Sequence, residues 1–222
     1  MRRMLLGHTS KMAVIITDTP RRPNDFYQTP YGLCRQALGI LPDNFKPGVV
    51  LDPGCGNGRW GIECKKLYPN STIMGFDIDE NIEKAYAYSM YTFYDYTKYL
   101  EYLNESMSTV FSKDINLVIG NPPYLYSEEF IRNSLSYLRE GGYLLFLLRL
   151  DFLCSEKRRE TLWKDFPPKE VWICSRRPGF NTPTDRNTDS NSYAIYLWEK
   201  GYYGEPTIKW LDWNYNKDLD YE

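Results

Sequence analysis

Histidine is almost missing from this chain: His8 is the single one among 222 residues. That removes the usual general base at neutral pH and the commonest side-chain ligand of transition metals. The five cysteines, Cys34, Cys55, Cys64, Cys154 and Cys174, form no CxxC pair, which argues against a zinc knuckle. An odd, scattered set reads as free thiols in a reducing compartment. Charge of one sign is lacking too: 27 Lys and Arg face 29 Asp and Glu, for a net charge of −2. A dedicated duplex-DNA binder carries a basic excess, so any nucleic-acid contact here must come from local clusters. No apolar run approaches the ~20 residues of a membrane-spanning helix, and the short runs near the N-terminus do not make a secretory signal. Repeats and low-complexity segments are absent. The expectation is a cytoplasmic, soluble protein with no metal site and no membrane contact.

What is present is apolar runs of strand length. They are GVVLD (48–52), STIMGFD (71–77), INLVIG (115–120), GYLLFLL (142–148), EVWIC (170–174) and SYAIYLW (192–198). Helix-like stretches lie between them at 58–68, 80–90, 127–139 and 155–165. Strands that read as continuous apolar runs and alternate with helices predict an α/β fold with a mainly parallel sheet covered on both faces. The last two strands are joined by a polar loop, 175–191, and predict an antiparallel hairpin. Aromatic content is high at 16%, with 20 tyrosines, which serve as amphipathic filler or as a surface for planar ligands. Residues 1–20 read as an extension, 21–204 as one catalytic domain and 205–222 as a tail packed on it as a strand or loop.

Chemistry gathers at two strand ends. VVLDPGCGNGRWG (49–61) places Asp52 at a strand terminus, followed by Gly54, Gly56 and Gly58 and a helix. Glycines there let the backbone turn tightly and approach a ligand, although such a loop alone is either a nucleotide site or simply a tight turn. The next strand ends in GFDID, and Asp77 at its tip has the position of a ribose acceptor. Asp79 reads better as a helix N-cap. The second strand end is VIGNPPYLY (118–126), where Asn121 is held by Pro122 and Pro123 ahead of Tyr124. Proline fixes φ and lacks an N–H, so the pair stiffens whatever follows the strand.

The order DPGCGNG, FDID, NPPY resembles that of S-adenosylmethionine-dependent methyltransferases that modify exocyclic amino groups, most of all the adenine-N6 DNA methyltransferases of restriction systems and phages. The resemblance spans residues 24–200. It implies a Rossmann-like class I fold with seven strands and S-adenosyl-L-methionine as cofactor. Carried over residue by residue, Tyr27 and Thr29 in NDFYQTP (24–30), with Asp52, Gly54, Gly56 and Gly58, would line the methionine end of the cofactor. Asp77 would take the ribose. Asp95 and Tyr96 in YDYT (94–97) would accept from and pack against its adenine, while a loop cap reads Asp95 equally well. Asn121, Pro122, Pro123 and Tyr124 would be catalytic: the Asn121 side-chain oxygen and the Pro122 carbonyl draw an amine out of conjugation, and Tyr124 stacks on the extruded base. Phe180, in the late segment 176–198, would help hold that base.

The resembled enzymes mostly carry a separate target-recognition domain; with the catalytic fold expected to be complete near residue 200, none is expected here. Recognition is therefore expected from loops, with Arg176, Arg177 and Arg186 on loop 175–191 contacting phosphates. Lys157, Arg158 and Arg159 form a second basic cluster that reads equally as a solvated helix face beside Glu156 and Glu160. The implied partner is DNA; a single-stranded or partly unpaired substrate would suit such an enzyme, and a partner subunit could supply recognition. Two alternatives use the same amine chemistry: a protein glutamine N5-methyltransferase, and an RNA adenine-N6 methyltransferase.

Overall fold

The structure, a computed structural model, describes residues 27–79, 87–93, 95–96, 114–180 and 190–213. The expected extension at 1–20, Arg186, most of the expected helix at 80–90 and the end of the tail lie outside the described residues.

The chain opens with helix α1 (Tyr31–Leu38), then β1 (Val49–Pro53), α2 (Arg59–Leu67), β2 (Thr72–Asp77), β3 (Met90–Phe93) and β4 (Ile115–Gly120). A 3-10 turn, Tyr124–Tyr126, leads into α3 (Ser127–Tyr137) and β5 (Tyr143–Arg149). A second 3-10 turn, Leu150–Leu153, precedes α4 (Glu156–Arg158), which continues as a π turn, Arg159–Trp163. The strands β6 (Glu170–Cys174), β7 (Tyr193–Glu199) and β8 (Thr207–Leu211) complete the order.

One sheet runs β3-β2-β1-β4-β5-β7-β6-β8. β3, β2, β1, β4 and β5 are parallel, and β7 is antiparallel to both β5 and β6. The first seven strands in that order make the class I methyltransferase sheet. The expected seven strands are present, and β8, from the tail expected to pack as a strand or loop, adds to the edge parallel to β6. The central strands are buried on both faces because they alternate their apolar side chains between two cores. Val50, Ile73, Leu145 and Ile195 pack under α1 and α2. Leu51, Met74, Val118, Phe146 and Tyr196 pack under α3. Each fully buried aliphatic side chain contributes roughly 1.5–3 kcal/mol relative to exposure, so the two layers hold the strand ends rigidly where the site forms.

Two expectations are corrected in detail. The stretch 155–165 is a short α-turn followed by a π turn rather than a regular helix. Met90 begins a strand, β3, instead of ending a helix. Among the described residues no helix is long and apolar enough to cross a membrane.

Candidate active site

The C-terminal ends of β1, β2 and β4 bring the sequence signals together. Gly54, Gly56 and Gly58 adopt φ of 69°, 52° and 82°, the left-handed region that side chains resist. The loop is tied to β2: the Cys55 N–H donates to the Phe76 carbonyl at 2.9 Å, and the Gly56 N–H donates to Asp77 Oδ2 at 2.8 Å. Asp77 Oδ1 accepts the N–H of Asp79 at 2.9 Å. Asp77 thus holds the glycine loop in place, and a carboxylate with about four acceptor positions keeps capacity for further donors. Burial raises its pKa, against the lowering effect of those backbone N–H groups. Asp79, read from the sequence as an N-cap, has its own N–H capped by Asp77.

Asp52, fully buried, stands at the end of β1. Its Oδ2 accepts a 2.5 Å hydrogen bond from the Tyr88 hydroxyl. Its Oδ1 is buried with no hydrogen-bond partner among the described residues. Burial pushes its pKa up to about 8, a rise opposed by the Tyr88 hydrogen bond and helped by the nearby Asp77 charge. Nothing in the sequence pointed to Tyr88. Its ring fits because Gly61 and Gly75 leave a slot: a Cβ at either would come within 2.4 or 2.7 Å of that ring. Gly120, the last residue of β4, has φ 151°, and a Cβ there would come 3.0 Å from Asp52 Oδ1. The backbone leading into Asn121 therefore lies directly against the Asp52 carboxyl.

Asn121 carries the most informative contact. Its Nδ2 donates to the Tyr27 carbonyl at 3.1 Å. A carbonyl only accepts, so the amide nitrogen must face it, and the oxygen faces away. That Oδ1 is buried and has no partner among the described residues. The Pro123 carbonyl is taken by the Tyr126 N–H at 3.0 Å, which locks the turn behind Asn121.

Tyr124 is part of an aromatic cluster. Tyr27 stacks on it, with ring centroids 5.7 Å apart and planes at 20°. Tyr193 packs on it at 5.8 Å. Phe180 meets Tyr27 edge-on at 5.6 Å and Tyr193 at 5.1 Å. Phe180 is 3% exposed, so it supports this cluster from beneath rather than presenting a bare face. Thr29 is also committed: its Oγ1 accepts the Trp60 indole N–H at 3.2 Å, and its carbonyl accepts from Arg59 at 3.2 Å. Arg59 reaches Gln28 Oε1 at 2.8 Å as well. Arg59, absent from the sequence reading, is the clamp that docks segment 27–30 onto α2.

Asp95 is half-buried. Tyr96 is placed differently from expectation: its ring packs in the core 4.9 Å from Phe130 and 6.5 Å from Phe76, with its hydroxyl 3.1 Å from Ser134 Oγ. Arg176 and Arg177 are exposed, beside the cluster in sequence.

A family model described as the methyltransferase small domain matches residues 36–165. The chain is 33% identical over 81 residues to the type II methyltransferase M.CvrRI of Paramecium bursaria Chlorella virus XZ-6E, covering 36% of this chain and 20% of that protein. It is 32% identical over 108 residues to ribosomal RNA small subunit methyltransferase C of Pseudomonas putida, covering 45% and 32%. It is 23% identical over 166 residues to the modification methylase CviBIII of Paramecium bursaria Chlorella virus NC1A, covering 63% and 41%. The chain thus spans between 20% and 41% of the length of these curated relatives. Among solved structures, a predicted O-methyltransferase of Agrobacterium tumefaciens superposes with a TM-score of 0.58 at 17% identity, over 82% of this chain and 85% of that one, a likeness of fold.

Proposed function

We propose, from the premise that this chain belongs to the methyltransferase small-domain family and takes S-adenosylmethionine as cofactor, that it methylates the exocyclic N6 amine of adenine in DNA. The observation that carries this reading is the oriented carboxamide of Asn121, anchored through Nδ2 with a buried Oδ1 left as acceptor.

The residues fit the cofactor. Gly54, Gly56 and Gly58 put no side chain in the way of a ligand, Asp77 sits at the next strand tip with spare acceptor capacity, and Asp52 Oδ1 is an acceptor with no partner among the described residues. When bound, S-adenosylmethionine supplies an electrophilic methyl group on a sulfonium. Gly54, Gly56, Gly58, Asp52 and Asp77 would hold it, with segment 27–30 and Asp95 at its margins.

An exocyclic amine on an aromatic ring is a poor nucleophile because its lone pair is delocalised. Asn121 Oδ1 and the Pro122 carbonyl accept its two N–H groups and draw the nitrogen toward tetrahedral geometry. The acceptors are fixed before substrate arrives, so little reorganisation is left for the transition state. The extruded base stacks on Tyr124 in the place of the Tyr27 ring. Tyr27 holds Asn121 through its backbone carbonyl, so its ring can turn aside without releasing the carboxamide. Arg176 and Arg177 contribute phosphate contacts.

DNA is supported as substrate by the likeness to proteins named as a type II methyltransferase and a modification methylase. A second reading, an amine of RNA, is supported by the likeness to ribosomal RNA small subunit methyltransferase C. The test is incubation with isotope-labelled S-adenosylmethionine and single-stranded DNA, duplex DNA, RNA or total protein, followed by digestion and mass spectrometry. Labelled N6-methyladenine in DNA is expected. Label confined to RNA would move the proposal to the second reading, and label confined to protein would overturn both.

A further inference from the structure

Between Tyr124 and the segment that follows β5 lies a cleft of about 440 Å³. β5 neighbours β4 on the side away from β1, so this cleft and the glycine loop flank Asn121 from opposite sides. Tyr124, Leu125, Leu148 and Phe152 give it apolar surface, and Arg149 and Arg158 give it cations. The volume falls within the ~300–1,000 Å³ of small-ligand sites.

The two arginines are not equivalent. Arg149 is neutralised: its Nε and Nη2 bond both oxygens of Asp151, at 3.1 and 2.5 Å. Arg158 lies over the Phe152 ring, 4.3 Å from its centroid, and its Nε donates to the Phe152 carbonyl at 2.8 Å. Those contacts fix the guanidinium and leave its two terminal nitrogens with no carboxylate paired to them among the described residues. An oriented, half-buried guanidinium fork beside aromatic and aliphatic surface suits a phosphate joined to a planar base. Leu125, 61% exposed at the lip, adds apolar surface beside the turn that carries Asn121.

We propose that this cleft holds the nucleotide adjacent to the flipped target, its base against Leu125 and Phe152 and its phosphate on Arg158. The proposal rests on the nucleic-acid reading above. It makes Arg158 and Phe152 determinants of flanking-sequence preference, which such enzymes need when base identity is read around an extruded nucleotide.

Cys154 lines the cleft and reports on it. It is exposed, whereas Cys34, Cys55 and Cys64 are buried, and Cys174 is half-buried with its thiol pushed up to about 12 by burial. A maleimide therefore labels Cys154 first. The experiment follows the labelling rate by intact mass, with and without single-stranded oligonucleotide at a concentration that anisotropy shows to be saturating. The expected result is slowing by about tenfold or more, set by occupancy of the site, with the slowing lost in Arg158→Ala. Arg158→Ala is also expected to raise KM for the oligonucleotide and leave cofactor affinity unchanged. Unchanged labelling of the wild-type protein at saturation overturns the assignment, whatever the variant does. Methyl transfer, measured in parallel, separates the two readings. Transfer without protection overturns the cleft and leaves the reaction. Protection without transfer to DNA or RNA overturns the reaction and leaves the cleft as a nucleotide site. Protection by a peptide in place of the oligonucleotide overturns both.

Discussion

The side chain of Asn121 is oriented by the backbone of Tyr27, 94 residues earlier in the chain, through a 3.1 Å hydrogen bond. The bond uses the amide nitrogen and so dictates which end of the carboxamide is presented to substrate. Asn121→Ala removes both the acceptor and its anchor. Loss of a preorganised transition-state contact of this kind costs on the order of 10²–10³ in kcat. Cofactor affinity should stay unchanged, because the Asn121 side chain is anchored on Tyr27 and makes no hydrogen bond to the glycine loop among the described residues. Asn121→Asp keeps an acceptor but sets a carboxylate oxygen against the Tyr27 carbonyl, so its activity should also fall. Single-turnover rates beside cofactor titrations check this; a variant within a few-fold of wild type would remove Asn121 from the chemistry.

Asp77 bonds two backbone N–H groups, one on the glycine loop and one on its own turn. Its remaining acceptor capacity is the position proposed for the cofactor ribose, so Asp77→Ala should weaken S-adenosylmethionine binding by about 1.5–3 kcal/mol for each charge-assisted hydrogen bond to the cofactor lost, roughly tenfold to 150-fold for one bond. Isothermal calorimetry measures it. Unchanged affinity would leave Asp77 as a loop brace alone.

Some of these residues are legible in the sequence and others are not. INLVIG was legible because a strand buried on both faces is apolar at nearly every position, and the DPGCGNG and NPPY turns advertise themselves through glycine and proline. Tyr88 was not legible. Its importance comes from side chains that are missing at Gly61 and Gly75, on two other elements, and from an acid on a third. Arg59 sits next to a recognised loop, yet what it clamps lies 30 and 31 residues earlier. Tyr96 shows the reverse error. Beside Asp95 it reads as a ligand-facing aromatic, but Phe76, Phe130 and Ser134, all distant in sequence, draw it into the core. The tail was expected to pack as a strand or a loop, and the sequence could not choose between them because TIKWL is largely exposed at the sheet edge and shows no continuous apolar run.

Burial of Asp52 makes stability depend on pH. Its pKa in the folded protein is pushed up to about 8, against about 4 for an unfolded carboxyl. Between those values the folded state binds more protons than the unfolded one, so stability falls as pH rises from about 4 to about 8. Asp77, also raised by burial, acts in the same direction. Thermal melts of the ligand-free protein across that range should show a falling Tm. Asp52→Asn, which needs no proton to stay neutral, should flatten the decline, and Tyr88→Phe, which removes the donor that favours the ionised form, should steepen it. A slope unchanged in Asp52→Asn would assign the effect to other groups.

Arg176 and Arg177 bear on the substrate. Both side chains are exposed, while the Arg176 backbone carbonyl is pinned by the Trp213 indole N–H at 2.7 Å. A fixed backbone with exposed cationic side chains suits contact to a phosphate chain. Such contacts give affinity without sequence information, and they release counterions on binding. Replacing both by Ala should weaken binding to every DNA sequence alike. It should also lower the log–log salt slope by about 0.7 per lost contact on single strands and about 0.9 on duplex, roughly 1.4 to 1.8 for the pair. Anisotropy titrations at several salt concentrations measure affinity and slope together. Weaker binding with an unchanged slope would show that the arginines read bases or support the loop. An unchanged affinity would remove them from the interface.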